Sequence, residues 1–86
     1  MQAIDLGGVE HAVHRWWIKG APGELGHAVI GLGQLADGRW FAARAGRGWA
    51  GAWVAHHERQ ACDAVEAWMR RRGGHRTWRE IKPGDP

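Results

Sequence analysis

The chain has 86 residues, enough for a single domain around one small core. Its net charge of +3 is uneven: residues 1–38 sum to −2 and residues 39–86 to +5, which suits the C-terminal half to an anionic partner or simply to solubility. One cysteine, Cys62, excludes an internal disulfide or a four-cysteine metal site; with no secretory leader and no apolar run near the roughly 18 residues of a membrane span, a reducing, cytoplasmic setting is expected.

Residues 1–11 lack a clear period, and Gly7-Gly8 argues against a regular element there. "AVHRWWIKG" reads as a strand or as a helix. As a strand, Ala12, His14, Trp16 and Ile18 share one face and Val13, Arg15, Trp17 and Lys19 the other. As a helix, Val9, Ala12, Val13 and Trp16 form a stripe. The strand is the better reading, because Trp-Trp-Ile is strand-prone and the glycine pair spoils a helix start. Gly20-Ala21-Pro22-Gly23 is then a turn.

"HAVIGLGQLADGRWFAARA" has the pattern of a hairpin, with Asp37-Gly38 between two apolar runs. A two-residue turn pairs Leu35 with Trp40, Gln34 with Phe41 and Leu32 with Ala43. One face then carries Ile30, Leu32, Phe41 and Ala43, and the other Leu35, Trp40 and Arg44. A second turn at Gly46-Arg47-Gly48 leads into the strand "WAGAWVA". A two-residue loop there sets Val54 beside Phe41 and Trp53 on the Trp40 face; a three-residue loop exchanges those faces.

Residues 57–72 read as a helix with Ala61, Ala64, Val65, Trp68 and Met69 on one stripe. Arg59–Asp63 and Glu66–Arg70 have i, i+4 charge spacing. His56 is a poor N-cap, Arg70–Arg72 suit the C-terminal end of the helix dipole, and Gly73-Gly74 end the helix. "HRTWREI" reads as a last edge strand. The expected fold is α+β, a single domain over 1–86 with its core in 12–81 and loose termini at 1–8 and 83–86. It is a small antiparallel meander of three to five strands with one helix on one face.

A single helix covers one face of such a sheet. The small, apolar Phe41 face is the expected seat of the helix, with Trp68 as the bulk of that contact. Trp40 and Arg44 are then expected on the open face, as a functional surface. The bland alternative is that residues 1–20 fold over that face and bury it.

Residues 28–72 resemble the AP2-like DNA-binding domain found at the N-terminus of many tyrosine integrases and in plant transcription factors. The resemblance lies in the "DGRWFAAR" strand, the basic "GRG" turn, a third strand, and a helix ending "AVEAWM". It implies that the open sheet face enters the DNA major groove. Carried over by position, the reading residues would be Arg39, Trp40, Arg44, Arg47 and Trp53. The third strand lacks the family's usual basic residues, and "HHER" replaces the usual Thr-Lys helix start.

Arg70, Arg71, Arg72 and Arg76, with Arg79, have the charge to neutralise phosphates. The histidine pairs His11/His14 and His56/His57 lack a third ligand at metal spacing, so no metal or other cofactor is expected. Cys62 has no base on its own helical face and reads as a small core residue. "GLG" and "GRG" are too short for phosphate loops. A non-enzymatic binding module is the reading that results, with nucleic acid as the leading partner and no membrane. The alternative is a protein-binding inhibitor, such as a phage or plasmid anti-defence factor blocking a host nuclease complex. An exposed tryptophan face would also suit pairing of two copies.

Overall fold

The computed structural model describes residues 10–21, 24–74 and 77–81. The order is β1 (His11–Lys19), β2 (Ala28–Leu35), β3 (Trp40–Gly46), β4 (Trp49–Ala55), α1 (Glu58–Arg71) and β5 (Arg79–Ile81). The strands form one antiparallel five-stranded sheet in the order β4-β3-β2-β1-β5. The expected fold class is what is found, and "AVHRWWIKG" is strand. The tails, Pro22-Gly23, Arg76 and the start of "HRTWREI" lie outside the described residues.

The first hairpin corrects the expected register. Leu35 N–H donates to the Arg39 carbonyl at 2.8 Å and Gly38 N–H to the Leu35 carbonyl at 2.9 Å. The loop is therefore Ala36-Asp37-Gly38, three residues long, with Gly38 at φ +90° in the left-handed region that glycine tolerates. The Asp37 carboxylate fixes it, accepting from the Arg39 amide at 3.0 Å and the Arg39 guanidinium at 2.8 Å. Those contacts, the amide bond first, hold the Asp37 carboxyl below its ordinary range.

One residue of slip moves every β3 side chain to the other face. Gln34 pairs with Trp40, Leu32 with Ala42 and Ile30 with Arg44. Ile30 and Leu32 do face the helix, but their β3 partners are Arg44 and Ala42, so Leu32 does not meet Ala43 as expected. Trp40 is thus half-buried against the helix-side core, and its expected place on an open face is overturned. The second loop is the two-residue alternative, with Gly46 paired to Trp49, Phe41 to Val54 and Ala42 to Trp53.

β1 holds a second correction. Its register against β2 shifts between Val13 and Arg15. Val13 therefore packs with Phe41, while Arg15 and Trp17 oppose Leu32 and Ile30 on the helix side. Gly33 makes this bulge possible: a Cβ there would collide with the Ala12 carbonyl oxygen and lie 2.8 Å from Val13 Cα. Residues 11–19 lie in the plane of the sheet, so they are not a cover over one face.

The helix seats Ala61, Val65 and Met69 in the core. They meet Ala28, Ile30, Leu32, Ala42 and Ala55 from the sheet, with Trp17 and Trp78 buried in the same cluster. Small residues on both sides let helix and sheet approach closely. Trp68 is only half-buried, so it flanks this contact and does not form its centre. His57, not His56, holds the N-cap position, with no side-chain cap bond. The Arg59–Asp63 and Glu66–Arg70 spacings do not close; the ion pairs among the described residues are Arg15–Glu80 and Arg39–Asp37. On the opposite face, Leu35, Phe41 and Ala43 form a smaller cluster, with Phe41 1 % exposed.

Candidate functional site

Strand register gathers the cations that lie far apart in sequence. Lys19 pairs with Ala28, Ala28 with Gly46, and Gly46 with Trp49. These four residues form a row across one end of the sheet. The helix runs back antiparallel to β4, so its last turn arrives above the same row. Lys19 Nζ donates to the Arg72 carbonyl there, and Gly74 N–H to the Met69 carbonyl at 2.8 Å. Both bonds satisfy carbonyls that a helix end leaves free, and the lysine also offsets the negative end of the dipole.

Above this row, cations and rings alternate. The Arg72 guanidinium lies 4.7 Å from the Trp49 ring. Arg44 lies 5.0 Å from Trp49 and 4.7 Å from Trp68. Trp49 meets Trp68 edge-on at 6.4 Å and Trp78 at 6.3 Å. Each cation–ring contact is worth about 0.5–2 kcal/mol, depending on how dry it is. Their joint effect is to hold Arg44 and Arg72 extended. Arg47 in the β3–β4 turn and Arg70 and Arg71 in the last helical turn are exposed nearby.

Five of the nine sequence-derived candidates therefore share one end of the molecule: Arg44, Arg47, Arg70, Arg71 and Arg72. Arg39 and Trp40 do not join them, and Trp53 borders them only through Arg44 and Trp68. Arg39 is tied to Asp37 at the far hairpin. Trp40 meets His14 at a 54° tilt with centroids 5.6 Å apart, and His14 hydrogen-bonds Gln34 at 3.2 Å. Trp53 lines an open groove of about 600 Å³ between β4 and the helix, with Arg44, Gln60, Asp63 and Trp68. Arg76 lies outside the described residues. Sequence reasoning missed Lys19 and the part played by Trp49, because only strand register brings Lys19 beneath the helix end.

The remaining groups offer little chemistry. Burial, and then the nearby Glu58 carboxylate, push the Cys62 thiol up, so it stays protonated near neutral pH and is a poor nucleophile. Arg15 forms a two-pronged pair with Glu80 at 3.0 and 2.8 Å, which raises its pKa further. Among the described residues, no group of three or more His, Cys, Asp or Glu could hold a metal ion, and no helix is long and apolar enough to cross a membrane. Compared with protein-family models, curated proteins and solved structures, the chain matches none.

Proposed function

We propose that this protein is a small nucleic-acid-binding module that grips phosphates with the end of the fold built from the β3–β4 turn and the helix C-terminus. The observation that supports this is the convergence of Arg47, Arg70, Arg71 and Arg72 with Lys19, while no ion pair among the described residues takes up these arginines. Phosphate contacts supply affinity and orientation without reading sequence. Arg72, already held against the Trp49 ring, loses less freedom when it binds. The open-face docking that the AP2-like resemblance implies is not part of this proposal, because Trp40, Arg44 and Trp53 share the helix side of the sheet.

The test is fluorescence anisotropy of a short labelled duplex at several salt concentrations. Affinity should fall with salt at a log–log slope of about −0.9 per phosphate contacted. Replacing Arg47, Arg70 and Arg71 together with glutamine should flatten that slope by about two to three and weaken binding at low salt. Arg39→Gln, at the other end of β3, should change neither. No binding even at low ionic strength would overturn the proposal. It would leave the protein-partner reading, which the half-exposed Trp53 favours.

A further inference from the structure

The two edges of the sheet are built differently. Among the described residues β5 has three, two of them the charged Arg79 and Glu80. β4 has seven residues, "WAGAWVA", with no charge and no proline, and five of the seven are exposed. Natural edges are usually short, charged or covered, because a bare edge is a template for another strand. We propose that β4 is the joint between two copies of this chain, paired antiparallel about a two-fold axis at Ala52.

The hydrogen-bond pattern defines the register. Leu35 bonds Arg39, so odd-numbered β3 residues bond β2 and even-numbered ones bond β4. Trp49, Gly51, Trp53 and Ala55 are therefore bonded inward to β3. Ala50, Ala52 and Val54 turn their N–H and C=O groups outward. Pairing Ala52 with itself, and Ala50 with Val54 of the second copy, uses all three outward residues on each chain.

Between these bonded pairs, Trp53 of each copy falls opposite Gly51 of the other, in the closer, non-bonded type of pair. A ring on one side meets a residue with no side chain on the other. Trp53, 44 % exposed, is on the helix side. A two-fold axis through the sheet keeps both helices on that side. With strands about 4.8 Å apart, β3 of one copy lies roughly 14 Å from β3 of the other. Closely packed helices sit about 8–10 Å apart, so the helices clear one another and leave a gap that the two Trp53 rings can fill.

Charge favours the antiparallel sense. Arg47 precedes β4, and the exposed Glu58, Arg59 and Asp63 that follow it leave a net negative charge at the other end. Antiparallel pairing carries Arg47 of each copy toward Glu58 of the other, whereas parallel pairing would set like against like.

The experiment is sedimentation of the whole chain across micromolar concentrations without nucleic acid, so this inference and the nucleic-acid reading fail separately. The wild type should show a concentration-dependent dimer. Ala52→Lys, which sets two lysines face to face at the axis, should be monomeric with unchanged circular dichroism. Ala52→Pro removes only an outward N–H and should behave alike. In a Cys62→Ser background, Ala52→Cys should be joined to a covalent dimer by a short bis-maleimide cross-linker, because a bonded pair sets the Cα atoms about 5.5 Å apart. A wild type that stays monomeric, a dimer that survives folded Ala52→Lys, or an Ala52→Cys dimer that does not cross-link would each overturn the proposal.

Discussion

The centre and the rim of the helix–sheet contact are made from different residues. The centre is Ala61, Val65 and Met69 over Ile30, Leu32, Ala42 and Ala55, all buried. The rim is aromatic: half-buried Trp40, Trp49 and Trp68 pack against that seam, buried Trp17 and Trp78 complete it, and Arg15, Arg44 and Arg72 lie over three of these rings at 4.7–5.0 Å. Three of the seven tryptophans are therefore border, not filler. A large apolar ring whose faces attract a cation suits the boundary between a dry seam and a charged surface.

The sharpest way to break this contrast is at the centre. Val65→Asp puts an unpaired carboxylate where the side chain is 1 % exposed. It should cost about 4 kcal/mol or more, a large share of what a domain this small has. Urea unfolding followed by circular dichroism should show no cooperative transition; a retained one would place Val65 outside the core. At the rim, Trp68→Ala should cost about 2 kcal/mol, below the 3–5 kcal/mol of a fully buried ring, read from the urea midpoint. A loss as large as that of Val65→Asp would make Trp68 a central residue after all.

The smallest effect is expected from the cation itself. Arg44 Nε is buried without a hydrogen-bond partner, so the guanidinium is held mainly by its two rings. Arg44→Met keeps the stem and places a polarisable sulfur against the same rings. Stability should change by less than about 1 kcal/mol in either direction, read from the urea midpoint. A larger loss would mean that the charge, and not the packing of the stem, holds the rim together.

The element order, the helix stripe of Ala61, Val65 and Met69, and the turn positions were legible in the sequence because they are local. Period and turn chemistry act over a few residues. The basic helix end was legible for the same reason. Lys19 and Trp49 as its neighbours were not, since they reach it only through three strand pairings.

The sequence by itself therefore determined a meander, a helix and where each begins. Tertiary structure decided which face of β3 the helix sits on. Asp37-Gly38 serves a two-residue or a three-residue loop, and the difference is one residue of register. The three-residue loop puts Ala42, not Phe41, beneath Val65 and Met69, and turns Phe41 into the cluster with Leu35 and Val13 on the opposite face. The bulge between Val13 and Arg15 was hidden in the same way, because it depends on Gly33 lying across the ladder. Turn geometries differ by little in energy, whereas exchanging a methyl for a phenyl ring in a close-packed seam changes it by kilocalories.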